Sequence, residues 1–591
     1  MMRSPFVQLI ARVLHCSGWR SLVIPAGVAL IALPGSQGLA ATNQNARSAI
    51  GINLQGLSYY SSELPLINIF PSGSGWITHA DTTWDTGEEK YLNLDSDGWP
   101  KTLIAIGGSG TQAFTTVGTL LMRLNSTANG YYPAGRYVVL YDGQGTLSYG
   151  FDANLVSHSP GRDVIDVPTP SGAGIDLRIT ETDPGHTGNY VRNIRVIKAE
   201  NELAQSQGRL FNATFLGLLS NFRALRFMDW LGTNASPLSS WANRPLPSNA
   251  FWTTASGVPL ELAVDLANAI SADAWLNVPH MADDDYIGQM AALVHARLGR
   301  SQKVYIEFSN EVWNPGFSQF QYAVNQAVAL WGAQKGGYDG NRSWYGMRVA
   351  QMCDIWKSAW AADSGRVVCV LAAQAASIYS ATAALKCPFW STGTPCSRHG
   401  ISAIAIAPYF GHQGVPPAWT SLPDGGLSLL FQSLYEQNDP RIPGRGHLSQ
   451  ACSWEAAYAV VASAYKLSLI AYEGGQEFAN GATPELNDLY VAANRDPRMM
   501  AAYSHYLRQW KGNGGELFMH YNDIGAPGKY GSWGALESAM QSVSPQTSAP
   551  PKWQAIQDFI ATNPCWWEGC DGKVAPASLP SRAALPIPRI P

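Results

Sequence analysis

Two glutamates in this chain each end a short apolar run and are followed at once by amide-rich or chain-breaking sequence. The first lies in Val304-Tyr-Ile-Glu-Phe-Ser-Asn-Glu-Val-Trp-Asn314, where Val304, Ile306 and Phe308 alternate with Tyr305, Glu307 and Ser309, the period of an extended strand. Asn314-Pro315-Gly316 then forces a loop, which leaves Glu311 at a strand-to-loop junction. The second is Glu473, which ends Leu467-Ser-Leu-Ile-Ala-Tyr-Glu473 directly before Gly474 and Gly475. Two carboxyl groups held roughly 5–5.5 Å apart can cleave a glycosidic bond with retention, one donating a proton while the other attacks the anomeric carbon. A lone strand-end glutamate is more often a solvated surface group, so the chemistry is carried by the pair.

Elements able to position such a pair recur along the chain. Buried strand-like runs fall at 50–56, 224–230, 274–280, 304–311, 366–374, 401–410, 467–473 and 516–522. Helical spacing of apolar residues separates them at 259–270, 286–298, 345–361, 453–465 and 499–510, with a last helix expected at 552–561. That alternation predicts an α/β fold, a (β/α)8 TIM barrel, with chemistry at the C-terminal ends of its strands.

The spelling Ser309-Asn-Glu-Val-Trp-Asn314 resembles the acid/base motif of the clan A retaining glycoside hydrolases, in which an Asn-Glu pair closes the fourth barrel strand and a second Glu closes the seventh. The resemblance implies that Glu311 is the acid/base and Glu473 the nucleophile. It implies a carbohydrate substrate, double displacement and no cofactor. Arg226, on the second run, matches the arginine that hydrogen-bonds the nucleophile and holds it ionised; its alternative is a structural ion pair. Tyr409 matches a tyrosine that donates to the nucleophile, or is a core tyrosine with a satisfied hydroxyl. Asn310 resembles the asparagine that contacts the sugar 2-hydroxyl. His280, His520 and Asn522 stand at further strand ends as candidate sugar contacts. The clan's usual tryptophan at the end of strand eight is replaced by Met519-His-Tyr-Asn522, so Tyr521 or Trp533 would have to supply the stacking platform. Sugar, linkage, and endo or exo action stay open.

At 591 residues the chain is longer than the ~250 typical of one barrel, so insertions are expected. A net charge of −4 with 14% charged residues gives no basic footprint for nucleic acid, whereas 21 tryptophans suit both a barrel core and sugar stacking. Arg3, Arg12 and Arg20, an apolar stretch at 22–33 and Gly38-Leu-Ala40 describe a secretory signal at 1–40, hence a secreted or periplasmic protein without a retained membrane span. In an exported chain, Cys387–Cys396 and Cys565–Cys570 are expected as local bridges, with Cys353 pairing Cys369 and Cys452 left over. No cysteine or histidine grouping has zinc spacing, and no metal is expected. A rival metal-dependent hydrolase would draw on His280, Asp283, Asp284 and Asp285, although those acids suit a helix start. A second rival, a non-catalytic carbohydrate-binding barrel, would not need two strand-end carboxylates.

Between the first strand region, 41–70, and the remaining barrel, 206–572, the pattern changes over 71–205 to short β-runs at 120–124, 135–141, 146–149, 174–180 and 190–196. A small β-sandwich inserted at the first β/α loop is expected there, walling the catalytic face, with Tyr131, Tyr132 and Tyr141 as candidate stacking groups. Residues 573–591 read as a proline-rich disordered tail.

Overall fold

Eight short parallel strands close into a barrel: β1 Ile50–Asn53, β2 Ala224–Arg226, β3 Asp273–Val278, β4 Val304–Phe308, β5 Val367–Ala372, β6 Ala403–Ile406, β7 Ser468–Ala471 and β8 Phe518–His520. The coordinates are a computed structural model that describes residues 48–567 and Cys570, apart from 104–113, 125–130, 392, 412–414, 436–445 and 545–548. The expected signal segment and tail lie outside the described residues. Every expected run overlaps a barrel strand, and β1 pairs with β8 to close the ring.

Alternation along the strands divides the barrel into two apolar layers. Ile52, Leu225, Leu276, Ile306, Phe308, Leu371, Ile404, Leu469 and Phe518 belong to the core shared with the helices. Ala224, Trp275, Tyr305, Val370, Ala405, Ile470 and Met519 form a separate cluster that fills the barrel. Gly51 on β1 is where Met519 needs room, since a Cβ there would overlap its sulfur. Polar residues take the interior positions nearer the strand ends, where Asn53, Arg226, Asn277 and Glu307 are all buried.

The expected helices are present as Leu260–Ala269, Asp284–Arg297, Gly337–Trp360, His447–Tyr465, Arg498–Gly512 and Pro551–Thr562. Asp283 caps the second of these by accepting from the Tyr286 backbone N–H at 2.7 Å, and Asp284 pairs with Arg348 at 2.9 Å. Those acids therefore start a helix, as their position before an amphipathic run requires. No described helix is long and apolar enough to cross a membrane.

Between β1 and β2 the chain builds two four-stranded antiparallel sheets. One orders Ile77–His79, Thr116–Leu121, Ile175–Thr182 and Gly145–Phe151; the other orders Arg192–Lys198, Gly135–Asp142, Arg162–Val167 and Asn154–Ser159. Val139, Ile165 and Val167 from one sheet join Leu147, Ile175 and Leu177 from the other in a common core. Two of the three tyrosines expected to stack on sugar are buried instead. Tyr132 and Tyr141 are 2% and 4% exposed, and Tyr132 donates to Asp152 Oδ2 at 2.7 Å. Only Tyr131 is partly exposed.

The cysteines also correct two expectations. Cys387–Cys396 and Cys565–Cys570 are bridged as expected. Cys353 and Cys369, however, are free thiols, on a helix and on β5, in hydrogen-bond contact and wholly buried, where each packs as a small apolar side chain. Cys452, expected to be left over, is disulfide-bonded.

Candidate active site

The C-terminal strand ends gather most of the candidate groups around one guanidinium. Arg226 closes β2 and is fully buried. Its Nη1 donates to Glu473 Oε1 at 2.7 Å and to Asn53 Oδ1 at 2.9 Å. Nη2 donates to Asn310 Oδ1 and to Glu307 Oε2, each at 2.9 Å, and Nε donates to Glu307 Oε2 at 3.1 Å. All five guanidinium N–H groups are thereby used. The rigid donor fork ties β1 and β2 to the ends of β4 and β7, which a flexible ammonium could not do in one geometry.

The chain continues past β7 as Tyr472 and Glu473, and past β4 as Ser309, Asn310 and Glu311. Glu473 Oε2 accepts from the Tyr409 hydroxyl at 3.0 Å, opposite the Arg226 contact on Oε1. Glu311 Oε1 accepts from the Tyr472 hydroxyl at 2.9 Å, and its Oε2 accepts from Asn314 Nδ2 at 2.8 Å. Each carboxyl thus has both oxygens hydrogen-bonded, but among the described residues only Glu473 of the two is ion-paired. Ser309 and Glu311 take left-handed backbone, with φ of 60° and 43°. Such conformations cost on the order of 1–3 kcal/mol each in a non-glycine residue and persist where the surroundings over-determine the chain. Here the surroundings include Arg226 on Asn310 and Tyr472 on Glu311.

The electrostatics separate the two glutamates. Burial, and then the negative charge of Glu473, push the Glu311 carboxyl up to about 7, against the opposing hydrogen bonds from Asn314 and Tyr472 and the more distant Arg226. Asp229, beyond the end of β2, is pushed up to about 6 by burial and by Glu473. Glu477 is pushed up to about 7 for the same two reasons in the same order. All three respond to one charge, that of Glu473.

Of the candidates read from sequence, Glu311, Glu473, Asn310, Arg226 and Tyr409 form one connected network. Trp533 joins it through its ring, 5.6 Å from Tyr409 and 5.7 Å from Tyr521, edge to face in both cases. Tyr521 in turn donates to Asp229 Oδ2 at 3.2 Å. The other three stand apart. His280 packs edge-on against Tyr322, with its Nδ1 buried and unpartnered among the described residues. His520 is 1% exposed and bonded to the Tyr503 hydroxyl and the Asn522 carbonyl. Asn522 directs its Nδ2 to Gln55 Oε1.

Sequence reading missed Glu307, Asn53, Tyr472, Asn314, Asp229 and Glu477. Glu307 carried a usable signal, because a glutamate at an inward position of a buried parallel strand needs a partner; it accepts from Arg226, Trp275 and Asn277. Tyr472 precedes the nucleophile candidate, but nothing in its spelling tells which carboxyl its hydroxyl will reach.

No protein-family model matches this chain, and no curated protein matches it. Among solved structures it is similar to a GH51 arabinofuranosidase from Xanthomonas axonopodis pv. citri, with 13% identity and a TM-score of 0.31 over 53% of this chain and 60% of that one. A GH5-4 broad-specificity endoglucanase from Bacteroides salanitronis matches at 10% identity and a TM-score of 0.33, over 59% of this chain and 86% of the other. An endo-1,4-beta-xylanase from Penicillium canescens matches at 12% identity and 0.33, over 62% and 98%. These likenesses are low.

Proposed function

We propose that this protein is a glycoside hydrolase that cleaves a β-glycosidic bond with retention, with Glu473 as nucleophile and Glu311 as acid/base. The observation that carries this is the division of labour between two strand-end glutamates that feel each other's charge. Glu473 is held by a guanidinium and a phenol, which fixes one face of the carboxylate for attack. Glu311, with no cation in contact among the described residues, keeps its proton to about pH 7 and can give it to a leaving oxygen.

In the first step Glu473 attacks the anomeric carbon as Glu311 protonates the departing oxygen, leaving a glycosyl ester on Glu473. Esterification removes the charge that raises Glu311. Its pKa then falls, and Glu311 becomes the base that draws a proton from water for the second displacement. Tyr409, Trp533 and Tyr521 form an aromatic wall beside Glu473, the position from which rings can stack on the apolar face of a sugar. In this reading Trp533, from the loop after β8, takes the stacking role that the strand end leaves unfilled.

The substrate class is a polysaccharide or oligosaccharide, and the expected export fits an extracellular glycan. The test is a panel of β-1,4-, β-1,3- and mixed-linkage glucans, mannans, xylans and bacterial exopolysaccharides, scored for reducing ends and for the anomeric form of the first product by proton NMR. Release of β-product supports double displacement; α-product from a β-linked substrate rejects it.

A further inference from the structure

The inserted sheets meet the barrel around a groove that the catalytic network does not use. The groove has a volume of about 330 Å³ and lies between residues 76–98 of the insertion and 243–256 of the chain after β2. Both segments belong to connections that follow the C-terminal ends of β1 and β2, the ends at which Glu311 and Glu473 follow β4 and β7.

Its construction is rigid. Phe251 stacks on Phe70 at 5.3 Å and meets Trp76 edge to face at 5.0 Å, joining the two segments through aromatic contacts. The Ala250 and Trp252 backbone N–H groups donate to the carbonyls of Asp97 and Pro71, and Ser248 Oγ donates to Asp97 Oδ1 at 2.7 Å. Trp76 is itself fixed by a 2.7 Å bond from its Nε1 to the Gly98 carbonyl, yet stays partly exposed in the groove.

The polar groups around this aromatic floor are left with capacity to spare. Asn249 uses Oδ1 to accept from the Leu246 N–H, and its Nδ2 has no hydrogen bond among the described residues. Arg244 is held by Glu261, to which its Nη2 donates at 2.9 Å, and its Nε is buried without a hydrogen-bond partner among the described residues. The Asn243 side chain is exposed at the rim and makes no hydrogen bond among the described residues. A partly exposed indole with amide, guanidinium and carboxylate groups around it presents an apolar surface and a ring of donors and acceptors. That combination suits a pyranose ring, with its apolar face and equatorial hydroxyls, and the volume is in the range of small-ligand sites.

We infer that this groove is a remote subsite that binds a neutral hexosyl or pentosyl unit of the same glycan chain, away from the bond that is cleaved. The inference rests on the glycosidase reading for the identity of the ligand. Contact energy gained there reaches only long substrates.

The test uses the full chain carrying Glu473→Ala, so that bound glycan is not consumed. Two groove variants are made in that background: Asn243→Ala with Asn249→Ala, and Ser256→Trp, which fills the groove without removing a side-chain hydrogen bond. Calorimetric titration uses neutral β-1,4-linked gluco-, manno- and xylo-hexasaccharides and the corresponding disaccharides. At least one hexasaccharide should bind the parent more tightly than its disaccharide, and both groove variants should weaken that hexasaccharide about tenfold while leaving the disaccharide within twofold. Hexasaccharides that bind no better than disaccharides, or that bind the groove variants as well as the parent, remove the subsite. Hydrolysis by the unaltered chain is scored separately: groove-dependent binding without hydrolysis would reject the glycosidase reading and keep the groove.

Discussion

Tyr472, the residue immediately before Glu473, donates its hydroxyl to Glu311 Oε1 at 2.9 Å. One step of chain past β7 therefore supplies both the candidate nucleophile and a hydrogen bond to the candidate acid. That bond favours the ionised form of Glu311 and opposes the burial and charge that push its carboxyl up to about 7. Tyr472→Phe should raise the Glu311 pKa further and move the alkaline limb of the kcat/KM profile to higher pH, by up to about one unit. An unmoved limb would mean that the limb does not report Glu311.

Tyr409 touches the other carboxyl. Removing its hydroxyl with Tyr409→Phe deletes one of the two hydrogen bonds fixing Glu473. A bond to a charged group is worth about 1.5–3 kcal/mol, so formation of the glycosyl-enzyme should slow by about 10- to 100-fold. Rapid-quench measurement of the first turnover checks this, and a rate within twofold of the parent would show that Arg226 alone orients the nucleophile.

For Glu311→Gln the outcome should depend on the leaving group. Glycosides with poor leaving groups should lose nearly all turnover, while dinitrophenyl glycosides should still glycosylate Glu473 with release of dinitrophenolate, because that phenolate needs little protonation. The ester should accumulate and be visible by intact-mass spectrometry. Equal losses on good and poor leaving groups would move the acid role elsewhere.

How much of this was legible in the sequence differs between the barrel and its contents. The eight strands were readable because buried parallel strands are short continuous apolar runs, and Glu311 and Glu473 because each broke such a run. The strand ends were overestimated. The run 401–410 holds only Ala403–Ile406 in the sheet, since Tyr409 and Phe410 belong to the loop that carries the site. His520 looked like a site residue from its strand-end position, but it is 1% exposed and bonded to the Tyr503 hydroxyl, because one residue's shift along a strand decides between its two faces. In the insertion, Asn154–Ser159 escaped notice because all six of its residues are exposed and no apolar alternation marks it. Tyr132 and Tyr141 were misread for the opposite reason: an aromatic among apolar β-runs signals burial at least as often as binding.

A second buried acid pair makes a prediction about stability. Glu63 and Asp523 face each other beside Trp230 and the Gln55 N–H, with Glu63 Oε1 and Asp523 Oδ2 buried. Burial, and then Asp523, hold Glu63 well above the usual carboxylate range, and burial holds Asp523 up to about 7. Folded pKa values above the unfolded ones mean that the folded state binds more protons between about pH 4 and pH 7. The stability linked to this pair is therefore fully present at the acid end and lost as pH rises through about 7. The Tm should fall across that window by several degrees, and Asp523→Asn, which can donate to Glu63 without a shared proton, should flatten the fall. A Tm profile as steep in the variant as in the parent would exclude the pair as its source.

The central claim is that Glu473 attacks the anomeric carbon, and azide rescue tests it most directly. Glu473→Ala should nearly abolish turnover of a dinitrophenyl β-glycoside, and added azide should partly restore release of dinitrophenolate by occupying the vacated space. The glycosyl azide isolated should have the inverted, α configuration by NMR, because only one displacement has occurred. Turnover by Glu473→Ala within a few-fold of the parent, or a β-glycosyl azide as the product, would contradict Glu473 as the nucleophile.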